Sequence, residues 1–409
     1  MRRGPSSLSR NLLTTGLTLV LAYGISAPAN AQHGQAAPQD VPSVPKGLAE
    51  PQGFIAEPAW LERTAVFADR HLSSGGGGGT GFYVNTKSPV SGAGWLTLGP
   101  GYRHWFNNEH LLVDGTTGVS WRGYKLAQAR VEMPKLLRSR LALGAQYRYQ
   151  DFRSLKFFGE GSDSPETALS HYHLRTHNVV GYATVRPLRW MAMDTHVGWL
   201  EPALRDAGVE PAFAHAGVAL TADTRDFPEH PTRGGLVRVA ASRFDDRDGG
   251  ESSFERYESE VAGFVPLASS RVVLAVRGWL VTSDTDSGKT VPFYLQPSLG
   301  GGHSLRSFSD YRFHDRHMLL ANAELRVALF THMDLVGFVD AGNVAARIDD
   351  LDLDKRSYGA GLRLHTRRDT FLRIDVANGS EGWRTMFSLS EPLSLSRLSR
   401  RYAPAPFVP

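Results

Sequence analysis

The chain of 409 residues contains no cysteine, so disulfides, thiol nucleophiles and thiolate metal sites are excluded together. Beyond residue 31 it also lacks an apolar run of about eighteen residues, the length a membrane-spanning helix needs. An excess of charge of one sign is missing too. Lys and Arg number 45 against 41 Asp and Glu, and Arg2, Arg3 and Arg10 carry three units of the formal +4. The remainder is near neutral, with no basic patch, so nucleic acid is not an expected partner. Signatures of chemistry are incomplete. Ser287-Gly288-Lys289-Thr290 ends like a phosphate loop, but Ser283 stands where its first glycine belongs. Gly75–Gly79 are followed by no Lys-Ser/Thr pair and read as a hinge. Gly302-His303-Ser304-Leu305 starts like a nucleophile elbow, with Arg306 in place of the closing glycine. His171 and His173 share a strand face, yet His177 lies further along and no carboxylate completes a ligand set. No enzymatic activity, metal or cofactor is therefore expected.

What is present begins with a secretory signal. Arg2, Arg3 and Arg10 precede an apolar run around Leu12–Ile25, and Ala29-Asn30-Ala31 forms a small-residue cleavage site. Residues 1–31 thus read as a signal peptide, with an uncleaved anchor as the alternative. Residues 32–79 read as a periplasmic linker, rich in Gln, Ala and Pro to about residue 56. Within it 58–72 is a helix candidate: Pro58 suits the first turn, and Leu61, Ala65, Ala68 and Leu72 recur at helical spacing. Such a helix has the barrel lumen, the barrel rim or plain solvent as its surroundings.

From Thr80 onward the chain is nearly all period-2 alternation broken by turn-rich segments. In 321–329, Ala321, Ala323, Leu325, Val327 and Leu329 share one face, while Asn322, Glu324 and Arg326 share the other. In 334–342, Leu335, Gly337, Val339 and Ala341 oppose Phe338 and Asp340. Arginines recur singly on the non-apolar face: Arg148, Arg238, Arg277, Arg373 and Arg384. A packed soluble core does not tolerate them, whereas a wet lumen does. The expected fold is all-β: an antiparallel transmembrane barrel of about sixteen strands spanning 80–393 in the bacterial outer membrane, with a tail at 394–409. The long breaks at 151–170, 223–233, 244–251 and 284–316 are expected on the extracellular side.

Four stretches carry a resemblance to a family. Phe338-Val339-Asp340-Ala341-Gly342, Ser304-Leu305-Arg306-Ser307-Phe308, Asp223–Asp226 with Pro231–Gly235, and Phe157–Ser164 occur in the order found in the BamA/TamA outer-membrane assembly superfamily, the bacterial surface antigen barrels. The resemblance covers roughly 80–393. It implies that loop 284–316 folds into the lumen and that Arg306, with Phe308, meets Asp340 beside Phe338 and Gly342. Glu324 and Arg326 are second partners. Ser307 replaces the motif glycine, a cost if its φ is positive. Only 32–79 precede the first strand, so a short form without periplasmic transport-associated repeats is expected. The resemblance further implies work in membrane biogenesis, on outer-membrane proteins or lipids, at a weak seam between the first and last strands. Its partner is outer-membrane lipid, and the barrel is monomeric or weakly associating. The rival readings are a passive, anion-preferring channel and an accessory barrel that recruits a partner through 32–72.

Overall fold

The structure is a computed structural model that describes residues 53–71, 79–86, 88–94, 96–205, 211–227, 230–267, 269–366 and 370–389. The expected signal peptide and the 394–409 tail lie outside the described residues. One helix, α1 (Ala59–His71), precedes the strands. The carbonyl of Pro58 accepts hydrogen bonds from Leu61 N and Glu62 N, and Leu61, Ala65 and Ala68 form its buried face.

The strands are β1 (Gly81–Asn85), β2 (Thr97–Phe106), β3 (Leu111–Ser120), β4 (Lys125–Leu136), β5 (Leu141–Phe157), β6 (Ser170–Leu188), β7 (Met191–Leu204), β8 (Phe213–Asp223) and β9 (Gly234–Asp246). Then follow β10 (Phe254–Pro266), β11 (Val272–Thr285), a short pair β12 (Ser298–Leu299) and β13 (Phe313–His314), β14 (His317–Phe330), β15 (Met333–Ala345), β16 (Lys355–His365), β17 (Thr370–Gly379) and β18 (Gly382–Ser388). All but β12 and β13 form one sheet of sixteen strands in sequence order, each antiparallel to its neighbour. Among the described residues the ladder begins at β1 and ends at β18, and no registered pair joins those two.

The burial pattern is inside-out relative to a soluble protein. On β14, Asn322, Glu324 and Arg326 are buried while Leu325 is exposed; on β15, Phe338 and Asp340 are buried while Leu335 and Val339 are exposed. The same inversion recurs in β5, where Gln146, Arg148 and Gln150 are buried and Tyr147 is exposed. Charge on the covered face and aliphatics on the open face are both costly in water; a lipid-facing wall around a polar lumen resolves both.

Two expectations need correction. Antiparallel order alternates the connections between the two ends of the barrel. This puts 158–169, 247–253 and 286–316 at one end and 224–233 at the other. The 223–233 break therefore belongs with the short turns on the periplasmic side, not with the extracellular loops; length alone had placed it outside. The 151–170 break is also shorter than expected. β5 runs on to Phe157 and pairs with β6 from Ser170, past a register shift between Phe152 and Leu155. The bulge interrupts the alternation without ending the strand.

Candidate functional site

Loop 286–316 does not project from the barrel. β12 and β13 close it into a hairpin, with Ser298 opposite His314 and Leu299 opposite Phe313. Leu299, Leu305, Phe308 and Phe313 are buried against Trp279, Val281, Met318, Leu320 and Val344 of the inner wall. Phe308 and Phe313 meet edge to face with ring centroids 5.1 Å apart. The apolar half of the loop is thus matched by an apolar patch high on β11, β14 and β15.

Below that patch the contact becomes ionic. Arg306 Nε donates to Asp340 Oδ2 at 2.9 Å and Nη2 to Asp340 Oδ1 at 2.7 Å, a bidentate fork. Its Nη1 donates to Glu324 Oε1 at 2.6 Å, and Asp375 Oδ2 lies 3.7 Å away. The guanidinium also sits 3.5 Å over the Phe338 ring, so its open face is covered by π density rather than by water. Arg306, Glu324, Asp340 and Asp375 are each at most 1% exposed along their side chains. Period-2 pairing explains the convergence: Asn322 stands opposite Asp340 in the β14–β15 ladder, and Glu324 opposite Phe338.

Further charges surround this fork. Arg326 donates to Glu324 Oε2 at 3.0 Å, and Arg363 donates both to Glu324 and to Asp375. Arg373 Nε lies 3.3 Å from Asp375 and its Nη2 donates to the Gly302 carbonyl at 2.7 Å. Asn322 bridges Asp340 and the Ser304 carbonyl. Four guanidinium groups thus share three carboxylates, every one covered, and the arrangement binds a loop rather than an ion in transit. Without such partners a buried charge costs several kcal/mol.

Small residues make the room. A Cβ at Gly342 would lie 3.0 Å from Leu299 Cδ1, and one at Gly361 would lie 2.0 Å from Asp375 Oδ1. Ser307, in the place of the motif glycine, is not among the residues with positive φ. Its hydroxyl lies 2.7 Å from Ser357 Oγ, and its backbone N–H donates to the same oxygen at 3.0 Å. The extra atoms fit because position 379 is glycine, where a Cβ would approach Ser307 Oγ to 2.2 Å. The expected strain is therefore absent.

The loop tip reaches other parts of the wall. Arg312 donates to Glu381 at 2.5 Å and to Ser164, and its guanidinium lies 4.8 Å over Phe158. Tyr311 donates to the Ser91 carbonyl at 3.1 Å, and Arg384 of β18 reaches Asp310 at 3.2 Å. The Phe157–Ser164 stretch is thus a second partner of the loop. Sequence reasoning did not identify Arg312, Arg363, Asp375 or Ser357 as contributors. Arg363 and Asp375 alternate like any lumen residues, and only strand register reveals that Asp375 faces Arg306 and that Arg363 meets Glu324 and Asp375. His171, His173 and His177 do not converge: His173 approaches Asp151 at 2.5 Å, and His177 hydrogen-bonds exposed Tyr147 at 2.8 Å.

Comparison with known proteins places this geometry. BamA from Haemophilus ducreyi lacking POTRA domains 1–3 is similar in fold, with a TM-score of 0.58 and 16% identity over 75% of this chain and 68% of that one. CdiB from Escherichia coli is similar with a TM-score of 0.52 and 15% identity over 75% of this chain and 61% of that one. No curated protein sequence matches the chain. The Omp85 superfamily domain matches residues 123–378, which contain β4 through β16, all but the last residue of β17, and the whole of the docked loop. The chain is an outer-membrane β-barrel that belongs to the Omp85 superfamily.

Proposed function

We propose that this barrel is a non-enzymatic device of outer-membrane biogenesis, which admits polypeptide or lipid laterally between β1 and β18 while Arg306 locks the loop inside. The observation that carries the reading is the contrast between an unladdered edge and a braced lumen. β1 has five residues and β18 seven, against fourteen in β14. Each ladder hydrogen bond that is missing at such an edge lowers the cost of parting it. The lumen arginines support this reading over an anion channel. Arg306, Arg326, Arg363 and Arg373 face Glu324, Asp340 and Asp375, so little uncompensated positive charge remains there to select anions.

The test is a lock on the seam. Tyr83→Cys with Met386→Cys places one thiol on each edge strand in a chain with no other cysteine. Reconstituted in liposomes, the reduced protein is expected to accelerate insertion of an unfolded outer-membrane barrel over empty liposomes, and the oxidised protein to lose that acceleration. Equal acceleration by both forms would refute lateral passage. No acceleration by either would refute the insertion reading itself.

A further inference from the structure

The turn joining β8 to β9 is long, yet it is tightly built. Asp226 accepts hydrogen bonds from the backbone N–H groups of Phe227 and Thr232 at 2.9 Å each, and from the Thr232 hydroxyl at 2.5 Å. Arg225 folds onto Asp223 at 2.6 Å. Gly234 closes the turn at a φ of +94°, where a Cβ would strike the Thr224 carbonyl at 2.3 Å. This frame carries His230 to the inner wall near the periplasmic end of the barrel.

There His230 Nε2 lies 3.2 Å from Asp334 Oδ2, and His365 Nε2 lies 3.4 Å from Asp334 Oδ1. The two imidazoles stack, centroids 3.7 Å apart and 15° from parallel. All three side chains are at most 12% exposed, and their donor atoms lie within 4.8 Å of one another. A cavity of about 50 Å³ adjoins them, lined also by Thr232, Val273 and His332.

An ordinary ion pair explains one histidine on an aspartate. With a second imidazole on the other oxygen, two imidazolium rings at that separation would repel, so at least one ring is neutral and has a nitrogen lone pair to offer. Two imidazoles with one carboxylate is a donor set for a borderline divalent ion. Zinc–ligand bonds of about 2.0–2.1 Å in a tetrahedron hold neighbouring donor atoms about 3.3 Å apart, a value between the two nitrogen–oxygen separations seen here; rings stacked 3.7 Å apart cannot both aim a lone pair at one ion, so ligation turns one imidazole out of the stack. Arg326 lines the same cavity, but its guanidinium is held by Glu324 at 2.9 Å, and Arg271 stacks 5.4 Å over Phe54.

We propose that His230, Asp334 and His365 form a divalent-metal site of the zinc class, with the adjoining cavity supplying a water as fourth ligand. The three donors come from the β8–β9 turn, β15 and β16. Since β10, β11 and β14 lie between β9 and β15 in the sheet, the ion would tie separate arcs of the wall together. The site also adjoins the docking point of the N-terminal segment, where His332 bonds Glu57 at 2.8 Å and Phe54 N donates to the Ala328 carbonyl.

The experiment uses the untagged full chain, refolded in detergent and titrated with Zn²⁺ against a chromophoric chelator, with Co²⁺ absorption as a geometric probe. One Zn²⁺ per barrel at micromolar affinity or better is expected, with visible Co²⁺ bands of tetrahedral intensity. His230→Gln and His365→Gln are each expected to weaken Zn²⁺ at least tenfold, while His177→Gln leaves it unchanged. Heat-modifiable gel mobility verifies folding. If His365→Gln does not fold, His230→Gln, in a turn, decides alone. Absence of stoichiometric Zn²⁺ on the folded wild-type barrel overturns the proposal, and so does binding indifferent to His230→Gln.

Discussion

Two arcs of the same sheet are built to opposite specifications. On β14 to β17 every inward position around Arg306 is committed: Asn322, Glu324, Asp340, Arg363 and Asp375 are all 5% exposed or less. At the other extreme, β1 and β18 are the shortest strands of the large sheet and present Phe82, Trp383 and Phe387 outward at 86%, 74% and 58% exposure. The first arc is over-determined by mutual pairing, whereas each strand of the second has, among the described residues, a ladder partner on one side only. The proposed lateral opening draws on both, because rigidity in one arc confines motion to the other. A buried ion-pair cluster is a poor source of net stability but penalises any partial rearrangement heavily.

The largest test of that contrast removes the centre of the rigid arc. Arg306→Ala leaves Asp340 and Glu324 buried without their main partner, and a loss of about 3–5 kcal/mol is expected in urea-induced unfolding followed by gel mobility. Arg306→Lys is expected to recover only part of it, since one ammonium cannot form the bidentate fork. Next comes steric filling of a recess. Gly361→Val places side-chain atoms where Asp375 Oδ1 would lie 2.0 Å from the new Cβ, with an expected loss of about 1–3 kcal/mol by the same measurement. A smaller effect is expected at the weak edge. Tyr83→Phe removes the 3.2 Å hydrogen bond to Asp114, costs about 1 kcal/mol or less, and shows as faster proteolysis of β1 rather than a shifted global midpoint. Least of all, Lys355→Ala breaks a pair with the 92% exposed Asp163 and is expected to move the unfolding midpoint by an amount worth about 0–1 kcal/mol.

The wall was legible in the sequence because its period is two and its faces differ sharply in chemistry. Ala321 to Leu329 and Leu335 to Ala341 already separated the lipid face from the lumen face. The pairing of Arg306 with Asp340 was readable only through family resemblance, since nothing local connects residues so far apart in the chain. What stayed hidden depends on register and on connection parity. Arg363 and Asp375 reach Glu324 and Arg306 only once β14, β15, β16 and β17 are set side by side. The Asp223–Gly235 turn went to the wrong end because its length resembles that of an extracellular loop. With it went any view of His230 beside Asp334 and His365, three residues that no spacing rule connects. The histidines that do cluster in the sequence, His171, His173 and His177, are close in the chain and apart in chemistry.

The central claim, that loop 286–316 is fastened to the inner wall, is tested most directly by a disulfide between loop and wall. Ser307 Oγ and Ser357 Oγ are 2.7 Å apart, and the chain has no competing thiol. Ser307→Cys with Ser357→Cys is predicted to form the disulfide on air oxidation in the folded barrel, with heat-modifiable mobility unchanged and thiol labelling lost. Free thiols that label readily in a folded barrel would contradict the docked loop.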